Sequence, residues 1–300
     1  EAVETMIWFV INRLSGNGRG LAVWREVEQS LIARGVPYGC RFTERTGHAR
    51  ELASELARLP DTQAVVAVGG DGTVHEVAGG LIGASAALGC IPAGSGNDYA
   101  RSVHIPPGWP AALERILRLH SEPIDIGFLN EDVFIISSGI GFDGDVAKIT
   151  NRSWYKRWLN RIGAGSFSYV VTVIRLLFTY RPCDVQLEVD GVRSSASNVW
   201  LIAVANMPYY GGGMKICPDA RHDDGILQLC LVEDIGRFEL LRFFPRVFKG
   251  THVHHPAVKM ITGSRIQIES TAPMTIHADG EFAGETPASI IVRSKQLNVL

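Results

Sequence analysis

Two rhythms of apolar and polar residues divide the chain. Up to about Pro123, short and wholly apolar runs alternate with stretches of helical spacing. Residues 7–11 form the first run, and the loop 12–20 follows it. Residues 21–34 then place Leu21, Trp24, Val27, Leu31 and Ile32 on one stripe, the spacing of a helix that buries one face. Residues 37–42 read as a strand, 48–59 as a second helix, and 64–68 as a buried strand ending in Gly69-Gly70-Asp71-Gly72-Thr73. A helix over 74–82, a strand over 87–91 and another glycine-rich loop come next. Such strands alternating with helices predict a parallel sheet covered on both faces. Ligands of these sheets bind beyond the carboxyl ends of the strands, and the glycines cluster there.

After Pro123 the rhythm changes. Residues 132–138, 184–189, 198–205, 226–232, 265–269 and 274–277 read as short strands. Asp190-Gly191, Asp224-Gly225 and Asp279-Gly280 supply turn signals between them. Helical stretches at 166–178 and 238–248 interrupt the strands. The expectation is an α/β N-terminal domain over 1–123, with helices on both faces of a parallel sheet. A mainly antiparallel β-sandwich domain over 124–300 follows, its C-terminal residues free to pack back on the first.

Composition narrows the function. A chain of 300 residues suits two domains, and 46% apolar residues suffice for two cores. The formal charge of −2 gives no general attraction to nucleic acid, so an anionic ligand needs a local site. Cys40, Cys90, Cys183, Cys217 and Cys230 form no C-x-x-C pair, which argues against a disulfide frame or a cysteine zinc site and fits a reducing cytoplasm. No secretory leader pattern opens the sequence. The longest apolar stretch, 169–178, is broken by Arg175 and falls short of the roughly 18 residues that span a bilayer.

Three loops are candidates for phosphate. They are Asn12-Arg13-Leu14-Ser15-Gly16-Asn17-Gly18, Gly69 to Glu76, and Gly94-Ser95-Gly96-Asn97-Asp98. Glycine lets the backbone approach an anion, and N–H groups at a helix start complement its charge. Thr73 and Ser95 add hydroxyl donors. Asp71 would repel a bare phosphate and makes sense with Mg²⁺ between the two. Each loop alone is as readily a tight strand-to-helix turn, but three on successive strand ends share one task. The P-loop, the dinucleotide glycine motif after the first strand and the protein-kinase motifs are all absent.

Gly69-Gly70-Asp71-Gly72-Thr73 with Glu76, followed by Gly94-Ser95-Gly96-Asn97-Asp98, resembles the signature of the diacylglycerol kinase catalytic domain. The resemblance continues through Ile124-Asp125-Ile126-Gly127, Gly139-Ile140-Gly141-Phe142-Asp143, Gly211-Gly212-Gly213-Met214, Asp223-Asp224-Gly225 and Asp279-Gly280-Glu281. It is closest to the bacterial soluble lipid kinases of the diacylglycerol kinase B and YegS-like group, and more distant from sphingosine and ceramide kinases. It implies a cytoplasmic transferase of lipid metabolism that uses ATP and Mg²⁺ and meets its lipid peripherally at a membrane surface. Diacylglycerol is the leading acceptor. A sphingoid base, ceramide or phosphatidylglycerol is an alternative, as is a nucleotide-binding regulator without turnover. Homodimers occur in the resembling group.

The resemblance also implies roles for residues. Nucleotide contacts map to Asn12, Arg13, Leu14, Ser15, Gly16, Thr43, Gly70, Asp71, Gly72, Thr73, Val74, His75, Glu76 and Ser95. Asp71, Asp98 and Asp125 map to a carboxylate and water network around a catalytic Mg²⁺, and Glu281 to the general base across an interdomain cleft. A second Mg²⁺ maps to Asp224 with the carbonyls of Arg221 and Ile226. From the residues alone, Asp98 reads as a helix N-terminal residue, Asp125 as a strand-end cap, and the two Asp-Gly pairs as ordinary turns. Arg13, His75 and Gly94-Ser95 depart from the family's usual proline, asparagine and Gly-Thr.

Other features have two readings. Residues 154–161 carry Trp154 and Trp158 at helical i, i+4 spacing among basic residues, which suits either anionic headgroups or a core-facing helix. Residues 240–249 present the same choice, with core packing favoured. His252, His254 and His255 read as part of a strand without a partner carboxylate, which argues against a metal.

Overall fold

The structure is a computed structural model that describes residues 6–152 and 174–300. The chain divides into two compact units, Glu1–Asp125 with Lys295–Leu300, and Ile126–Ser294.

The first unit runs β1 (Met6–Ile11), α1 (Ser15–Ala33), β2 (Tyr38–Phe42), α2 (His48–Leu56), β3 (Thr62–Gly69), α3 (Asp71–Leu81), β4 (Ala87–Pro92), α4 (Asp98–Ser102) and α5 (Trp109–Leu117). Its strands lie in the order β4-β3-β1-β2 and pair in parallel. Val65 to Val68 are fully buried, as the wholly apolar run requires of a sheet covered on both sides. Gly20, Trp24, Val27 and Leu31 form the buried stripe of α1, and the Trp24 ring packs 5.1 Å from Phe9. Ile32, placed on that stripe by its spacing, is 65% exposed.

Two elements of this unit differ from expectation in ways that matter. Helix α3 starts at Asp71 rather than Val74, with Gly70 as its N-cap, so Asp71 and Gly72 belong to its first turn. Helix α1 opens early at Ser15, but Gly16, Asn17 and Gly18 hold left-handed φ of 57°, 62° and 89°. Regular helix therefore starts only after Gly18.

The second unit is mainly antiparallel, and the first and last of its strands carry residues of the first unit, Glu122–Asp125 and Lys295–Val299. In chain order come β5 (Glu122–Leu129), β6 (Asp132–Phe134), β7 (Ser137–Gly141), α6 (Phe142–Arg152), β8 (Cys183–Val189), β9 (Val192–Ala205), β10 (Leu227–Glu233), α7 (Arg237–Phe243), β11 (Val258–Gly263), β12 (Arg265–Ser270), β13 (Thr275–Ala278), β14 (Glu281–Glu285) and β15 (Ala288–Val299). Antiparallel ladders join β7 to β9 and β13, β9 to β8 and β10, β10 to β11, and β12 to β8 and β15. Ile140, Val199, Ile202, Leu229, Ile266, Ile276 and Ile290 meet in one core.

Here the corrections are larger. The run 132–138 splits into β6 and β7. Asp125 lies inside β5 rather than capping its end. The helix expected over 238–248 stops at Phe243 and continues as a 3₁₀ segment, Phe244–Lys249, because Pro245 has no N–H to extend the α-helical ladder. Leu240, Phe243 and Val247 face inward, whereas Phe238 and Phe248 are exposed, so core packing covers only one side. His252 and His254 lie in a 3₁₀ turn, not a strand. His252 is buried and its Nε2 pairs with the Ile216 carbonyl at 2.9 Å. Of the helix expected over 166–178, residues 174–178 are helical, and the remainder, with 154–161, lies outside the described residues.

Candidate active site

Three loops of the first unit touch through their backbones. A Cβ on Gly16 would overlap the Ala93 carbonyl, and one on Gly70 would lie 3.0 Å from Gly94 Cα. The Arg19 guanidinium bonds the Gly94 carbonyl and, at 3.4 Å, that of Ala93. Asn97, held at φ 55°, accepts the Gly94 N–H at 2.9 Å through its side-chain oxygen. Asn12 ties the loops together. Its Oδ1 accepts the Leu14 N–H at 3.1 Å and its Nδ2 donates to Thr73 Oγ1 at 3.2 Å. The N-cap residues of α3 and α4, Gly70 and Asn97, make no side-chain bond to the helix they open. The amides of a helix's first turn lack α-helical acceptors. At α3 the Thr73 N–H donates to the Gly70 carbonyl at 2.9 Å, and in the first loop the Gly18 N–H donates to the Leu14 carbonyl at 3.3 Å.

The structure brings Asn12, Ser15, Gly16, Gly70 and Thr73 together by these contacts. Asp71 Oδ1 accepts the Tyr99 N–H at 2.9 Å, which orients the carboxylate at the start of α3. Asp98 is buried and paired with Arg101. Asp125 is 1% exposed and accepts the Lys295 N–H at 2.9 Å. Burial, then the charge of Asp71, pushes the Cys90 thiol far above its ordinary range, so Cys90 stays a protonated core residue.

Other nucleotide candidates are committed differently. Val74 and His75 are buried, and His75 Nε2 lies 3.3 Å from Arg50. Glu76 accepts the N–H groups of Gly47 at 2.8 Å and Ala49 at 3.0 Å, so its carboxylate caps α2. Arg13 lies over the Phe42 ring, Leu14 is 84% exposed, Ser95 is exposed, and Thr43 bonds the Ile11 carbonyl.

No group of three or more His, Cys, Asp or Glu side chains able to hold a metal occurs among the described residues. Mg²⁺ commonly takes only one or two carboxylates and completes its shell with waters and phosphate oxygens. Asp71, in the first turn of α3, fits that demand. At the proposed second metal position, Asp224 Oδ1 accepts the Ile226 N–H at 3.0 Å, and the Arg221 side chain pairs with Asp223. This is an Asx turn, and Arg221 holds the Asp223 carboxyl below its usual range.

In the second unit, Glu281 is exposed at the first position of β14, directly after the turn Asp279-Gly280. The turn has φ of 48° and 88°, the pair of left-handed residues a two-residue hairpin favours. The Asp279 carboxylate accepts three backbone N–H groups, from Ile135, Ile136 and Ser137, at 2.8 to 3.0 Å. A pocket of about 470 Å³, part of it open to solvent, lies in this unit. Phe142, Val146, Leu177, Met214, Leu240 and Phe244 make its wall apolar, with Asp143 and Tyr210 as the polar exceptions. No local pattern signals this pocket, because its walls come from five separate segments.

The matches to known families fall on the same two regions. Residues 6–129 match the diacylglycerol kinase catalytic domain, and residues 136–300 match the YegS C-terminal NAD kinase beta sandwich-like domain. The class is therefore a lipid kinase. The chain is 34% identical to a diacylglycerol kinase of Mycobacterium tuberculosis over 298 residues, which are 96% of this chain and 93% of that one. It is 30% identical to a diacylglycerol kinase of Staphylococcus aureus over 281 residues, 92% and 86% of the two chains. The chain belongs to the YegS-like family of bacterial diacylglycerol kinases. A crystal structure from Bacillus anthracis shares its fold, with a TM-score of 0.80 at 23% identity over 99% of this chain and 94% of that one.

Proposed function

We propose that this chain transfers the γ-phosphate of ATP to a lipid hydroxyl, with diacylglycerol the leading acceptor. The observation that carries the reading is the backbone contact among the loops after β1, β3 and β4, with Asp71 beside them. Those loops offer amides to the phosphates, and side chains there would hold the backbone off. Mg²⁺, when bound, neutralises charge on the transferring phosphoryl group. Asp71 would hold it, and the buried carboxylates of Asp98 and Asp125 would join through water, as the family resemblance implies. Glu281 would accept the proton of the attacking hydroxyl. The apolar pocket of the second unit suits a hydrocarbon chain, and relatives named diacylglycerol kinase support the acceptor. No helix among the described residues is long and apolar enough to cross a membrane, so the acceptor would be met at its surface.

The test is transfer of label from γ-labelled ATP, with Mg²⁺, to diacylglycerol, a sphingoid base, ceramide and phosphatidylglycerol in mixed micelles, with NAD and sugars in parallel. Label in diacylglycerol is the expected result. Label confined to NAD or a sugar would overturn the lipid reading, and label confined to another lipid would correct the acceptor.

A further inference from the structure

His277 lies on β13, three residues before Gly280, and its two ring nitrogens have different partners. Nδ1 accepts the Gly280 N–H at 3.1 Å, and Nε2 lies 2.8 Å from Asp143 Oδ2. An amide N–H can only donate, so Nδ1 carries no proton in this arrangement. The ring proton is then on Nε2 and is donated to the Asp143 carboxylate. Both side chains are buried, 3% exposed for His277 and 7% for Asp143. Tyr210 stacks on the imidazole with ring centroids 6.2 Å apart. Gly139 leaves room for the pair, since a Cβ there would overlap both Asp143 Oδ2 and His277 Nε2.

The target of this relay is informative. Gly280 immediately precedes Glu281 and lies in the turn, outside the β13–β14 ladder. Asp279 anchors the other turn residue to the backbone of 135–137. The Gly280 N–H belongs to the Asp279–Gly280 peptide, so its bond to His277 restrains the turn one peptide before the plane that leads into Glu281.

We infer that His277, oriented by Asp143, is a positioning residue that sets the direction in which Glu281 presents its carboxylate. This rests on the reading of Glu281 as the base. It adds that the base is aimed by a neutral imidazole of one fixed tautomer, not by the hairpin alone. Misplacing a reacting group by about 1 Å costs on the order of a hundredfold in rate, so a loose turn would register in kcat.

Two substitutions separate the ring nitrogens. The Oδ1 of His277→Asn sits where Nδ1 sits and can still accept from Gly280. The amide of His277→Gln reaches the Nε2 position, keeps a donor for Asp143 and loses that acceptor. Expected for His277→Gln is a fall in kcat of about ten- to a hundredfold with the KM for ATP unchanged. His277→Asn should recover most of the loss. In a double variant with Glu281→Gln, His277→Gln should add no further loss, because it acts through that carboxylate.

A His277→Gln enzyme at wild-type kcat, beside an impaired Glu281→Gln enzyme, would overturn the inference and leave the base reading standing. Effects of the two that multiply in full would also overturn it. Wild-type rates for Glu281→Gln would remove the base reading itself. Should the histidine variants not fold, nitrogen NMR of the wild-type ring decides the matter. A neutral ring protonated at Nε2 is expected, and a proton on Nδ1 would contradict the inference.

Discussion

The two units hold their candidate site residues by opposite means. In the first, glycine backbones lie against each other at neighbouring ends of one parallel sheet, and Gly70 and Gly94 touch almost without side chains. In the second, the turn before Glu281 is held by side chains from far along the chain. The Asp279 bonds span 142 to 144 residues, and the pair His277–Asp143 spans 134. A site built from backbone fails when bulk is added. A site built from side chains fails when one partner is removed. The substitutions below exploit that difference.

The largest effects belong to the two carboxylates assigned to chemistry. Asp71→Asn keeps an oxygen for the Tyr99 N–H and should stay folded, yet initial rates should fall by at least about a hundredfold. Glu281→Gln should lose roughly a hundredfold to ten-thousandfold in kcat while ATP binding, followed by titration calorimetry, is retained. Equal and small losses from both would erase the division of labour between the units.

Removal of a partner comes next. Asp279→Ala leaves three amides without their carboxylate, and denaturant unfolding should show a loss of about 3 kcal/mol. The effect should fall on the second unit and leave ATP affinity intact. Added bulk in the first unit should do the reverse. Gly94→Ala drives a Cβ into Gly70 Cα, which should raise the KM for ATP about tenfold and cost about 1–3 kcal/mol of stability.

The smallest effect is one of pH. Burial lowers the His252 pKa below its ordinary value of 6.5. The unfolded chain therefore binds the proton first as pH falls, and stability declines once pH drops below the ordinary histidine range. Thermal melts between pH 7.5 and 5 should show this decline. His252→Gln, which keeps a donor for the Ile216 carbonyl, should flatten it.

The same contrast explains what could be read without coordinates. Parallel strands advertise themselves as apolar runs, and the residues after them are local in sequence, so Gly69 to Thr73 and Gly94 to Asp98 stood out. Hairpins at Asp190-Gly191 and Asp279-Gly280 were legible because aspartate and glycine tolerate positive φ there. Strands β11 and β14 were not legible. Lys259 and Thr262 break the apolar run of β11, and Glu281 and Phe282 are both exposed on β14. The capping role of Glu76 depends on α2 lying beside α3, which no local pattern encodes. Asp143 stood inside a recognisable glycine motif, but its histidine partner had no signal beyond a place in a short strand.

Crystals grown with a non-hydrolysable ATP analogue and Mn²⁺ test the nucleotide assignment most directly. The predicted result is phosphate density against the amides of Gly70 to Gly72 and the Gly94 loop, with the anomalous metal peak beside Asp71. A nucleotide bound elsewhere, or a metal peak at Asp224 with none near Asp71, would contradict it.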